Sequence, residues 1–185
     1  CFVAMAYYPH GSLHSYLQRA SKFGERDAWK LMRDMLTALR AAHRAAVLHL
    51  DIKPANVLRD GRGGYVLTDF GIAQGSHVGS DITASGLGSV GYQAPEQRDM
   101  NPQLIDTRTD LWGVGITVWS CVTGCRLSKR PEMYQADGYH GVASPRSLGV
   151  KISRQLDDAI MSLVVRDPAG RPGGAAEFLG YLRKT

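Results

Sequence analysis

The residues from Asp110 to Val122 are apolar nearly all round when wound at helical period. A helix of that kind has no wet face, so it must be surrounded, either by lipid or by the rest of a protein core. Wound as a helix the segment rises about 20 Å, short of the ~30 Å of hydrocarbon in a bilayer. The segment is therefore expected to be a buried helix, with the other apolar stripes as walls of the same core.

Those walls are visible on both sides. Ser12 stands where it caps a helix with Leu13, Tyr16, Leu17 and Ala20 on one face. A longer helix carries Leu31, Met32, Met35, Leu36, Leu39 and Ala42 and is expected to run out at Val47-Leu48. Ser153 caps another, bearing Leu156, Ile160, Leu163 and Val164, with Asp157 and Asp158 in the first turn where they suit the helix dipole. A final helix spans about Ala175 to Leu182. His14 and His43, single histidines on helices, read as surface or packing residues. Between Gly124 and Val150 few apolar residues fall in register.

The β content is small. Val57 to Arg59 and Tyr65 to Thr68 flank Asp60-Gly61-Arg62-Gly63-Gly64, which reads as a hairpin turn; the glycines lack the spacing and following helix of a phosphate-cradling loop. Cys1 to Ala6 reads as a strand already inside a fold, broken at Tyr7-Tyr8-Pro9-His10-Gly11. The expected class is α+β, mainly α, with one small hairpin.

With 185 residues, 44% apolar and 21% charged, the chain fits one globular domain burying about 70% of its unfolded surface. It lacks the apolar run of a membrane span and the charged start of a signal peptide, so a soluble, cytoplasmic domain without membrane contact is expected. Cys1, Cys121 and Cys125 are odd in number and incomplete as a four-ligand set, which favours reduced thiols over disulfides or a metal. The net charge of +5 is scattered singly, so no nucleic-acid partner is expected.

Chemistry concentrates in His49-Leu50-Asp51-Ile52-Lys53-Pro54-Ala55-Asn56. A carboxylate there can accept the proton of an attacking hydroxyl, an ammonium can neutralise charge on a moving phosphate, and an amide oxygen can ligate Mg²⁺. Asp69-Phe70-Gly71 and Ala94-Pro95-Glu96 follow, and pairing of the two strands brings Asp69 near Asn56, where both could hold Mg²⁺. From Gly71 to Gly91 the chain is rich in Gly, Ser and Thr without periodicity, a loop length that is usually functional.

These three motifs, in this order, resemble the protein kinase superfamily, and more narrowly a serine/threonine kinase catalytic domain of bacterial appearance. Leu50 departs from the pattern, since the family usually has arginine before the catalytic Asp; the resemblance is to a non-RD type. It implies a protein-kinase-like C-lobe at residues 12–185, preceded at residues 1–11 by the end of an N-lobe strand and the hinge, with the remaining N-lobe absent. Such a chain is expected to be inactive until joined to that N-lobe.

The resemblance further implies ATP and Mg²⁺ as cofactors and a protein substrate phosphorylated on Ser or Thr. Asp51 and Lys53 take the catalytic positions, Lys53 also contacting the γ-phosphate, while Asn56 and Asp69 hold the metal. The backbone of about Ala4 to Ala6 meets the adenine edge and Leu58 lies beneath the ring. His49 and Phe70 pack in the regulatory spine, Ser89 contacts Asp51 and Lys53, Asp110 ties the catalytic-loop backbone, and Glu96 pairs with Arg171. Ser76, Ser80, Thr83 and Ser85 are activation-segment hydroxyls, with Thr83 and then Ser85 the preferred phosphosites. A non-catalytic kinase-like scaffold and an aminoglycoside-kinase-like phosphotransferase remain as alternative readings.

Overall fold

The structure is a computed structural model, and it describes residues 6–19, 22–70, 88, 89, 91–125 and 142–183. Among the described residues, six α-helices and one hairpin follow one another as α1 (Leu13–Arg19), α2 (Glu25–Arg44), β1 (Val57–Arg59), β2 (Tyr65–Leu67), α3 (Pro95–Arg98), α4 (Thr107–Thr123), α5 (Arg154–Leu163) and α6 (Ala175–Leu182). The architecture is thus mainly helical with one two-stranded antiparallel sheet, the class expected from the sequence.

Helix α4 is the buried centre. Its residues from Thr109 to Val122 are all buried, and α2, α5 and α6 pack around it. Asp106 starts it by accepting the Arg108 N–H at 2.7 Å, and Gly124 ends it at φ 70°, a left-handed conformation that glycine adopts at least cost. From α2, Leu31, Met32, Met35, Leu36 and Leu39 face this core at 0–1% exposure. Burying each such side chain contributes about 1.5–3 kcal/mol. Burial also drives the Cys121 thiol on α4 well above its usual range, so it stays neutral packing material.

Ser12 caps α1 by accepting the Ser15 N–H, at 3.3 Å. The hairpin pairs Val57 with Leu67 and Arg59 with Tyr65. It is held on two sides: Arg59 N–H donates to the Gly11 carbonyl at 3.1 Å, and Tyr65 N–H donates to Asp34 on α2 at 3.0 Å.

Two details differ from the sequence reading. Helix α2 stops at Arg44, before Val47-Leu48, because Ala46 turns left-handed (φ 57°) and its N–H donates to His43 O while the Val47 N–H reaches Ala42 O, both at 3.0 Å. That is a Schellman ending, which satisfies carbonyls the helix would otherwise leave open. In α5, Ser153 does cap the helix through the Leu156 N–H at 3.2 Å, but Asp157 does more than favour the dipole. It is buried and accepts Ser144 Oγ at 2.7 Å and the Arg146 N–H at 2.9 Å, which pins the preceding loop.

Candidate active site

The loop after α2 lies against the first turn of α4. Asp110 is fully buried there and accepts three hydrogen bonds: Leu50 N–H at 2.8 Å on Oδ1, and His49 N–H at 2.9 Å and His43 Nε2–H at 2.8 Å on Oδ2. A buried carboxylate is tolerable only when so satisfied. The loop also rests directly on the helix backbone. A Cβ added at Gly113 would lie 2.7 Å from Ile52 Cβ, so only glycine lets Ile52 seat there.

His49 joins this loop to the hairpin. Its Nδ1 accepts the Asp51 N–H at 3.3 Å, so the ring proton is on Nε2, which donates to Thr68 O at 2.9 Å. The Phe70 ring lies 4.7 Å from the imidazole, centroid to centroid.

Asp51 is the hub of the site. Its Oδ2 accepts Lys53 Nζ at 2.7 Å and Asn56 Nδ2 at 3.1 Å, and its Oδ1 accepts the Ser89 hydroxyl at 2.9 Å. Lys53 Nζ also bonds Ser89 Oγ, closing a ring of ammonium, carboxylate and hydroxyl. Asp51 and Lys53 are 33% and 23% exposed as side chains, so a solvent-borne hydroxyl can reach the carboxylate.

Asn56 commits its amide nitrogen twice, to Asp51 O at 2.9 Å and to Asp51 Oδ2. That fixes which way the amide points and turns Oδ1 away from Asp51. The Thr68 N–H donates to Asn56 O at 2.9 Å, which sets the neighbouring Asp69 beside Asn56. Asp69 has φ 61°, an exposed carboxylate, and no pairing partner among the described residues. A neutral amide oxygen and a carboxylate are hard ligands of the kind Mg²⁺ takes, alongside waters and phosphate oxygens.

Farther out, Leu58 is half-buried in β1 opposite Val66, and Ala6 is exposed in an irregular segment. Ala4, Ser76, Ser80, Thr83 and Ser85 lie outside the described residues. At the base, Arg171 and Glu96 meet with both partners buried; Nη1 donates to Oε1 at 2.7 Å and Nη2 to Oε2 at 2.9 Å.

Two residues that sequence reasoning passed over belong to this assembly. His43 donates a hydrogen bond to Asp110, although nothing in a helical stripe separates it from a packing histidine. Gln97, buried at 5% exposure, accepts the Ala94 N–H at 2.9 Å and donates to Leu50 O at 2.8 Å. The only sequence signal for it was its place at the third residue of a short helix, where Gln commonly reaches back to the backbone.

Comparisons with known proteins converge. The family described as the protein kinase domain matches residues 1–180. Serine/threonine-protein kinase F of Synechocystis sp. is 31% identical over 92% of this chain and 34% of its own length. Serine/threonine-protein kinase PknL of Mycobacterium tuberculosis is 32% identical over 92% of this chain and 43% of its own. The crystal structure of Rad53 1-466 in complex with AMP-PNP superposes with a TM-score of 0.66 at 26% identity, covering 94% of this chain and 44% of that one. The chain thus spans less than half the length of each of these relatives.

Proposed function

The chain belongs to the protein kinase family, and from that premise we propose that it transfers the γ-phosphoryl group of ATP to serine or threonine hydroxyls of a protein substrate. The observation that carries this reading is the Asp51 carboxylate, held by Lys53, Asn56 and Ser89 yet open to solvent on one side. Asp51 orients the incoming hydroxyl and accepts its proton. Lys53, already 2.7 Å from Asp51, offsets negative charge beside the attacking oxygen. Ser89 keeps the two in register. Asn56 and Asp69 would hold Mg²⁺, which would neutralise phosphate charge.

Nucleotide binding is supported by the AMP-PNP in the similar Rad53 structure, and Ser/Thr preference by the relatives' names. Residues 12–185 then form the C-lobe and residues 1–11 the end of an N-lobe strand and the hinge of a kinase acting in the cytoplasm, where ATP is supplied. Among the described residues no helix is long and apolar enough to cross a membrane.

The test is phosphotransfer by the full-length protein with labelled ATP, Mg²⁺ and a mixed Ser/Thr/Tyr peptide library. Label on Ser or Thr, lost on chelating the metal, is expected. No transfer under any condition, or transfer to Tyr alone, overturns the proposal.

A further inference from the structure

Leu50, the residue immediately before Asp51, holds φ at 61°, a left-handed conformation that costs a branched side chain about 1–2 kcal/mol. Such a conformation persists only where its surroundings over-determine it. Two buried side chains do so here. Asp110 takes the Leu50 N–H at 2.8 Å, and Gln97 Nε2 donates to the Leu50 carbonyl at 2.8 Å. The same peptide unit carries the Asp51 N–H, which donates to His49 Nδ1 at 3.3 Å. The plane of the Leu50–Asp51 peptide is therefore fixed at its oxygen by Gln97 and at its nitrogen by His49, and that plane sets the direction in which Asp51 projects.

Gln97 is itself braced. Its Oε1 accepts the Ala94 N–H at 2.9 Å, and its neighbour Glu96 is locked to Arg171. The glycine before Ser89 closes over the same carbonyl. A Cβ on Gly88, which sits at φ 86°, would come 3.0 Å from Leu50 O and 3.3 Å from Gln97 Nε2. The segment that supplies Ser89 and the side chain that grips Leu50 thus converge on one oxygen.

We propose that Gln97 is a positioning residue for the reaction: by holding the Leu50 carbonyl it keeps the left-handed peptide in place and so keeps the Asp51 carboxylate aimed at the substrate hydroxyl. This rests on Asp51 being the proton acceptor. Gln97 touches neither substrate nor nucleotide, and its effect is on the chemical step.

The two ends of the amide have separate tasks, so they can be separated by substitution. Gln97→Glu keeps an acceptor for the Ala94 N–H but loses the donor to Leu50 and sets two oxygens against each other. Gln97→Met keeps the length and loses both. In the full-length protein, both variants are expected to lower kcat ten- to a hundredfold while KM for ATP stays within twofold. A carboxyl buried against a carbonyl favours its protonated form, whose O–H can donate to Leu50 O. The ratio of Gln97→Glu to wild-type kcat should therefore rise as pH falls from 8 to 6, and that of Gln97→Met should not.

A second measurement needs no activity. Hydrogen exchange of the Leu50 and Asp51 amides should quicken at least tenfold in Gln97→Met, with the buried amides of α4 unchanged. An inactive wild-type protein would defeat the kinase reading, and the exchange data would still decide whether Gln97 fixes the loop. Wild-type kcat in both variants, or unchanged exchange at Leu50 and Asp51, overturns the proposal.

Discussion

Arg171 meets Glu96 fork to fork, at 2.7 and 2.9 Å, with neither side chain more than 1% exposed. The remaining guanidinium donors go to the carbonyls of Val165, Arg108 and Arg166, at 2.8, 3.0 and 3.0 Å, so all five N–H groups are used. The pair ties α3, and through it the Ser89 segment, to the end of the chain. Removing one partner strands a buried charge, which costs about 3–5 kcal/mol. Arg171→Ala and Glu96→Ala should each lower Tm by roughly 6–20 °C for a domain of this size. Arg171→Lys should fall in between, because an ammonium keeps the charge but not the fork. A Tm within 2 °C of wild type for either alanine variant would show that the pair carries no such energy.

Ala46 gives a prediction of the opposite sign. It occupies the left-handed position of the Schellman ending of α2, at φ 57°, where glycine has no Cβ to strain. Glycine also makes the unfolded chain more flexible, which takes back part of the gain. Ala46→Gly should stabilise the protein by about 0.5–1 kcal/mol in urea unfolding. Destabilisation would mean that the helix ends otherwise in solution.

What the sequence made legible was set by pattern length. The all-round apolar run at Asp110 to Val122 reads as a buried helix and the stripe from Leu31 to Leu39 as core, and both are buried. Asp51, Lys53, Asn56 and Ser89 could be named because their residue types suit one chemistry at short or familiar spacing, and the fold brings their polar atoms together. Gln97 and His43 escaped because each reaches across a long stretch of chain through a single long-range hydrogen bond, which leaves no period to read and, for Gln97, only its place in the first turn of a short helix. Asp157 was placed in its helix, but its hold on Ser144 and Arg146 depends on a loop without apolar register.

Glu25 at the start of α2 makes stability depend on acid. Its carboxylate accepts the Ser153 hydroxyl, the Ser153 N–H at 2.9 Å and Trp29 Nε1–H at 3.3 Å, joining α2 to the cap of α5. The Ser153 hydroxyl bond, chiefly, holds the Glu25 carboxyl below its usual value of 4.5, with burial opposing. The depressed folded value means the stabilisation is complete above the unfolded carboxylate's range and is lost as pH falls through the folded one. Glu25→Gln should cost about 1–2 kcal/mol at pH 7, at the low end for a charged hydrogen bond because the site is partly exposed. The gap between variant and wild type should close below pH 4.5. A gap independent of pH would remove the carboxylate from the account.

Asp51→Asn tests the proton acceptor. The group is a third exposed, so its ion pair with Lys53 adds little to stability. In the full-length protein kcat should fall about 10²- to 10⁴-fold, with ATP affinity within threefold and Tm within about 2 °C. Turnover within a fewfold of wild type would sink the assignment.

Leu50 governs the last prediction, that turnover depends weakly on phosphorylation of the segment containing Thr83 and Ser85. A phosphate adds a charge of about −1.5 to −2 and orders a loop by gaining charge-assisted, often bidentate, partners. An arginine at position 50 would offer one; Leu50 is apolar and 8% exposed. The hairpin carries two other arginines. The Arg59 guanidinium lies 4.3 Å from the centre of the Tyr16 ring, and Arg62 is exposed in the hairpin turn, where its backbone N–H donates to Asp60 at 2.8 Å. The Leu50 peptide meanwhile has its N–H and carbonyl taken by Asp110 and Gln97, so the loop before Asp51 is held without a phosphate. Thr83→Ala, Ser85→Ala and phosphatase treatment should each change kcat less than tenfold in the full-length protein. A loss of a hundredfold or more, about 2.7 kcal/mol of transition-state stabilisation, would show a phosphate-gated site that recruits its cation from elsewhere in the chain.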